Sequence, residues 1–345
     1  PGARREPCSR SCCSAPTTRC RGSGSSTRCL SRRLNRHTHR SPYIAKNRIL
    51  TPPQPLSCRI KKKGLTVLEI TFRTVQAKEA IRRISEYDKD FLIGAGTILT
   101  LEQLNDAIEA GAKFLVTPGF NKKIVLEAQK RGVPIIPGVS TATEIESALE
   151  NNIHIVKFFP AEAMGGLKTI KALSGPYPNV RFIPTGGINL DNMTEYTNDN
   201  RVIAVGASWM TESKDLNESN FDVIEQKIEV TMNKLLDLSF DHVGILSANY
   251  EKDVLELNAL TKQSISKHSK SSFVGQIEII KEKNPEVSNV HLAYKTSNIK
   301  RAIHYFENLG YIFNQNTKVF DTSNNLKAIY FEEKYVDVSI HLIQR

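Results

Sequence analysis

From Gly64 to Gly206 the chain repeats one unit, a short apolar run followed by a helical stretch with polar turn signals at both ends. The runs are residues 65–71, 91–95, 114–117, 134–137, 154–159, 181–185 and 202–206. Strands that point the same way need a crossover of a dozen or more residues between them, so the alternation dictates a parallel sheet with helical connections. A repeat of roughly 20–27 residues over this many units favours a (β/α)8 TIM barrel over an open sheet. Helix starts are marked by Thr100 with Gln103 and by Thr141 with Glu144, both T-x-x-E/Q capping boxes, and helix stops by Gly111 and Gly132. Only seven runs are present. The eighth belongs near residues 36–49, where RHTHRSPYIAKNRI makes a poor strand, so the first β/α unit reads as missing or replaced. A barrel without it would expose two unpaired edges.

After an amphipathic helix over residues 221–238, a different pattern begins at Asp241. HVGIL and VHLAY are strand-like, each followed by a helical stretch and further strands: FVGQIEII in the first case, and YIFNQ, KAIYFEE and SIHLIQ in the second. This is an internal β-α-β repeat, its second copy better defined than its first, and it marks a separate α+β module. The division expected is a basic leader over 1–62, a barrel over 63–238 and the module over 239–345.

Charge separates the leader from the rest. Residues 1–63 hold 16 of the 47 Lys and Arg residues and a single acid, Glu6, while the remainder carries 31 basic and 35 acidic residues. The leader also holds all six cysteines, at spacings that match no zinc or disulfide pattern. It has no apolar periodicity and reads as disordered, or as a segment foreign to the fold. No aromatic residues interleave its arginines, which argues against a nucleic-acid arm. With neither a membrane-length apolar run nor the apolar core of a secretory signal, the expectation is a soluble cytoplasmic protein with no membrane partner.

Chemistry concentrates in HIVKFFPAEAMGG, residues 154–166. By strand alternation Lys157 lies on one face with Ile155 and Phe159, in an apolar run without an adjacent acid. A buried ammonium is costly, and a lysine there either finds a partner across the fold or becomes a neutral, nucleophilic amine suited to Schiff-base chemistry. The plain alternative is a lysine snorkelling at a strand end. In VLEITFRT, alternation places Glu69 and Arg73 on one face, at the carboxyl end where barrel active sites lie. Singly, each has a plain reading too, a structural ion pair for Glu69 and a solvated strand end for Arg73. Thr97 follows the second run and Pro118 the third, while Thr185, Gly186, Gly187 and Ser208 lie in glycine-rich turns after the last two, which suit a phosphate.

LEITFRT, GAGT, TPG, IPG, VKFFPAE, PTGGI and GASW, in that order, resemble the 2-keto-3-deoxy-6-phosphogluconate (KDPG) and 4-hydroxy-2-oxoglutarate aldolase family over residues 64–210. The resemblance implies a class I aldolase that needs no metal or other cofactor, with Lys157 as the Schiff-base nucleophile and Glu69 as general acid and base. It further implies that Arg73 and Thr97 hold the substrate carboxylate, that Pro118 and Phe159 wall the pocket, and that Thr185 meets a substrate hydroxyl. Gly186, Gly187 and Ser208 would hold the phosphate of a 2-keto sugar acid, in a homotrimer. Ala207 stands where the family usually has glycine. Two other readings remain: a barrel that lost catalysis and binds or regulates through its C-terminal module, and a sugar-phosphate isomerase or epimerase.

The C-terminal module resembles the vicinal oxygen chelate (glyoxalase-like) superfamily. His242, Glu278, His291 and His341 fall near the positions where that superfamily places its metal ligands. The alternative is that they are strand residues of a degenerate module used for packing or assembly.

Overall fold

A computed structural model describes residues 56–282 and 289–345, all within one compact unit. Strands β1 (Val67–Thr71), β2 (Leu92–Gly96), β3 (Phe114–Val116) and β4 (Ile135–Ile136) pair in parallel and in sequence order. So do β5 (Gly138–Val139), β6 (Ile155–Phe158) and β7 (Arg181–Pro184). The interruption between β4 and β5 is Pro137, which has no N–H to extend a ladder. Its carbonyl still accepts from the Lys157 N–H at 2.9 Å, so the two pieces run as one strand between β3 and β6.

Intervening helices pack outside: α2 (Ala77–Tyr87), α3 (Leu101–Glu109), α4 (Lys122–Lys130), α5 (Ala142–Glu150), α6 (Gly166–Ser174) and α7 (Met193–Thr197). Their apolar stripes supply Ile81, Leu104, Ile124, Ile145 and Ile170 to one core shared with Ile93, Leu115, Val156 and Phe182 of the strands.

The expected closed barrel is not what these residues form. Residues 202–206 join only through bridges from Val202 to Phe182 and from Gly206 to Thr185. No pairing returns from there to β1 among the described residues, and the place expected for an eighth strand, 36–49, lies outside them. Apolar residues at the amino ends of the strands accordingly meet solvent: Val67 is 43% exposed, Leu92 43% and Ile155 41%. By register Val67 and Leu92 share the face of Glu69, and by alternation Ile155 shares that of Lys157.

The reading of 1–62 as disordered also needs correction at its end, while 1–55 lie outside the described residues. Helix α1 (Leu56–Lys61) buries Leu56 and Ile60 in the core shared by these strands and helices. Arg59 pairs with Asp222 and Glu225 of α9 (Phe221–Leu236), which follows the short α8 (Ser213–Glu218).

The C-terminal residues build an eight-stranded sheet in the order β13-β14-β15-β12-β8-β11-β10-β9. One copy is β8 (Ser239–Ser247), α10 (Tyr250–Thr261), β9 (Ile265–Lys267), β10 (Ser271–Val274) and β11 (Ile277–Lys281). The other is β12 (Val290–Thr296), α11 (Ile299–Asn308), β13 (Val319–Phe320), β14 (Leu326–Tyr330) and β15 (Ser339–Gln344). FVGQIEII is two strands around a turn at Gly275, whose φ of 61° breaks the ladder. YIFNQ is not a strand and makes only a bridge from Phe313 to Phe331. Helix α11 joins this sheet to the core of the parallel strands and their helices. Tyr305 packs in both cores, and the Arg301 guanidinium donates to the carbonyls of Thr197 at 2.5 Å and Leu235 at 3.2 Å. Among the described residues, no helix is long and apolar enough to cross a membrane.

Candidate active site

Lys157 lies mid-sheet, opposite Gly138 on one side and Ile183 on the other, and only 7% of it is exposed. Burial pushes its amine below the usual 10.5; the Glu69 carboxylate opposes that shift and the Arg73 guanidinium adds to it. Both charges are thus felt at the buried amine, with opposite effects. The Nζ sits 5.1 Å from the centre of the Phe159 ring, a wall that stabilises a cation by its π face and excludes water.

The neighbours of the site are shaped by what they lack. A Cβ on Gly96 would lie 1.7 Å from Glu69 Oε1, so the carboxylate lies across β2 where only glycine leaves room. Thr97 follows at a φ of 60°, the left-handed region that costs a β-branched residue energy and that clusters at functional sites. The Pro118 carbonyl packs against Gly138, the register partner of Lys157.

After β7, Gly186 and Gly187 hold φ of 98° and 81°, which turns the backbone at the strand's carboxyl end. A Cβ on Gly186 would touch the Phe159 ring at 3.4 Å, so this turn adjoins the lysine wall. Thr185 bridges to Gly206, and Ser208 precedes the 3-10 turn Trp209–Thr211. The turn is tied from below, because the Ala161 and Glu162 N–H groups donate to the carbonyls of Thr185 and Gly186. The Glu162 carboxylate in turn accepts from the Tyr196 hydroxyl.

The profile of the KDPG and KHG aldolases matches residues 50–227. The chain belongs to that family. Among its relatives, the 2-dehydro-3-deoxy-phosphogluconate aldolase of Treponema pallidum is 47% identical over 178 residues, which is 52% of this chain and 85% of that one. The enzyme of the same name from Haemophilus influenzae is 50% identical over 170 residues, 49% of this chain and 80% of that one. The KDPG aldolase of Legionella pneumophila, with pyruvate captured at low pH as a covalent carbinolamine intermediate, superposes with a TM-score of 0.50 at 38% identity. That match covers 51% of this chain and 85% of that structure.

A second cluster lies outside the family match. His242, Glu278, His291 and His341 come from β8, β11, β12 and β15, four adjacent strands at the centre of the C-terminal sheet. One ring nitrogen from each of the three histidines lies within 4.8 Å of the others. Glu278 Oε2 is 3.3 Å from His242 Nε2 and 3.6 Å from His291 Nε2. Burial opposes protonation of His242, but Glu278 and Asp241 outweigh it and raise its pKa. His341 is pulled down to about 3, first by burial and then by the neighbouring imidazoles. Only 6% exposed, it finds no hydrogen-bond partner for either ring nitrogen among the described residues. A cavity of about 400 Å3 lined by His291, Tyr330, Asn314, Thr317 and Lys334 opens beside the cluster.

Gln103 and Gly96 adjoin the candidate site residues, and sequence reasoning did not single them out. Gln103 reads as half of a capping box, and only Thr141 with Glu144 completes that box. The Gln103 N–H does donate to Thr100 Oγ1, but its side chain goes elsewhere. The glycine of GAGT carries the signal for Gly96, since a glycine inside a strand marks close approach by a neighbour.

Proposed function

We infer that Lys157 is the Schiff-base nucleophile of this chain and Glu69 its proton carrier. The protein is an aldolase, a lyase that cleaves 2-dehydro-3-deoxy-6-phosphogluconate to pyruvate and glyceraldehyde 3-phosphate. The observation that carries the residue roles is the buried lysine, its pKa lowered by burial and subject to the opposing charges of Glu69 and Arg73. The neutral amine adds to the C2 ketone, and the carbinolamine loses water to a protonated imine. Glu69 takes the proton of the C4 hydroxyl, the C3–C4 bond breaks, and its electron pair flows into the iminium to give an enamine and the aldehyde. Protonation at C3 and hydrolysis of the imine release pyruvate and restore Lys157.

Arg73 and Thr97 hold the carboxylate in this reading, Pro118 and Phe159 wall the ketone, and Thr185 meets a hydroxyl. Gly186, Gly187 and Ser208 take the phosphate, at a turn whose two glycines are left-handed. Cleavage of 4-hydroxy-2-oxoglutarate to pyruvate and glyoxylate, trimeric assembly and a cytoplasmic setting belong to the same proposal, as does a division of labour between residues 63–238 and 239–345. Relatives at 47% and 50% identity that are named aldolases favour this reading over an inactive, purely regulatory domain. Borohydride added with pyruvate should fix a mass increment on Lys157, and a Lys157→Ala protein that cleaves substrate at the parental rate would end the proposal.

A second reading applies to the C-terminal sheet, as a module of the vicinal oxygen chelate type. His242, Glu278, His291 and His341 hold a divalent cation there, and the buried, unpartnered imidazole of His341 is the observation that favours it. Three imidazoles and one carboxylate suit zinc, manganese or ferrous iron, and Asp241 on His242 Nδ1 at 2.8 Å orients that ligand. Chelator-stripped protein titrated with zinc chloride should take up one equivalent and melt higher. Uptake undiminished in His341→Ala would exclude the site.

A further inference from the structure

We propose that Gln103 is a positioning residue for the substrate carboxylate, and the proposal rests on the aldolase reading above. Gln103 lies in the first turn of α3, and its amide spans two loops that carry candidate site residues. Its Nε2 donates to the Phe72 carbonyl at 3.2 Å, and its Oε1 accepts from the Leu99 N–H at 2.7 Å. Phe72 immediately precedes Arg73, and Leu99 follows Thr97 by two residues. One side chain therefore ties together the loops that carry the guanidinium and the hydroxyl of the proposed carboxylate clamp.

The tie matters because neither loop holds itself. Beyond β1 the chain leaves the ladder at once: the Phe72 N–H still reaches the Gly96 carbonyl at 2.7 Å, but the Arg73 N–H turns back to Thr71. Thr97 sits in a left-handed conformation that a threonine rarely adopts, and such strain persists only where the surroundings over-determine it. On one flank the Ile98 N–H is fixed to the Val116 carbonyl. On the other, Gln103 fixes Leu99, which is itself 54% exposed and supplies little packing of its own. The two backbone partners have opposite polarity, so only a group with a donor and an acceptor on one flat end satisfies both. A carboxylate keeps the bond to Leu99 and sets an anion against the Phe72 carbonyl.

Gln103 touches no reacting atom in this arrangement, so its loss should weaken the hold on the carboxylate and spare the imine chemistry. The experiment measures borohydride trapping on Lys157 against pyruvate concentration in the full-length parent, Gln103→Ala and Gln103→Glu, with Glu102→Gln as a neighbouring surface control. The half-saturating pyruvate concentration should rise about five- to tenfold in both Gln103 variants, the worth of one ordinary hydrogen bond. Maximal trapping and melting temperature should stay near the parental values, and the control should not move. Half-saturation within about twofold of the parent in both variants overturns the proposal, taking the same hydrogen-bond worth as the yardstick. So does a parallel fall of maximal trapping and melting temperature in both, which is the mark of a structural prop. A parent protein that pyruvate does not label at Lys157 refutes the aldolase reading itself, a result distinct from either.

Discussion

At the scale of single residues, Lys157 sets stability against reactivity. The unfolded chain holds this lysine's proton up to its ordinary pKa of 10.5, whereas burial lowers the folded value. Wherever the unfolded state binds the extra proton, stability rises with pH, so the buried amine costs stability at neutral pH and the cost fades as pH approaches 10.5. Lys157→Met removes the amine and keeps an apolar stem of similar length. It should abolish pyruvate trapping and raise the melting temperature at pH 7, with the gap to the parent closing in alkaline buffer; a variant that melts lower at pH 7 contradicts the account. Parental trapping should slow as pH falls, because the protonated amine has no lone pair to offer. Gly96 provides the complementary case. Its substitution by alanine forces the Glu69 carboxylate aside while leaving the ladder intact. Turnover should drop by about 100-fold, the usual worth of a placed general base, with melting nearly unchanged by calorimetry.

At the scale of elements, helix α11 determines how the two sheets are joined. Arg301 enters the seam between them and caps the final turns of α7 and α9, whose last carbonyls would otherwise lack donors. Thr296 adds a hydroxyl to the Leu236 carbonyl from the neighbouring strand. Arg301→Ala leaves one buried and one half-buried helix end open and should cost about 2–3 kcal/mol in denaturant unfolding. A loss below about 0.5 kcal/mol, the range of ordinary surface changes, would mean the seam is held by Tyr305 and its apolar neighbours instead. Element positions were largely legible in the sequence because strand and helix periods are local. The break at Pro137 and the hairpin at Gly275 carried visible signals too, a proline and a glycine within apolar runs. YIFNQ had strand composition but no partner strand beside it beyond one bridge, and pairing is never written in a single segment.

At the scale of the whole molecule, a lysine-based site and a histidine cluster occupy separate sheets of one compact unit. Their chemistries make them separable. Chelation should lower the melting temperature of the C-terminal sheet and leave pyruvate trapping at Lys157 unchanged; trapping that needs added metal would contradict a Schiff-base site. What the sequence by itself determined was the parallel strand-helix order, the lysine in its apolar strand, the acid and arginine one alternation apart, and the glycine turns at strand ends. Each of these depends on neighbours within a few residues. The count of seven runs already pointed to an incomplete barrel, and tertiary structure decided that no pairing from residues 202–206 returns to β1 among the described residues, an edge more than a hundred residues away in sequence. It also decided that four ligand-type side chains from four strands meet at one point, and that Gln103 turns from its own helix cap to two loops. Registers and side-chain targets are set by which backbone groups remain unpaired once the chain has packed, and no local pattern records them.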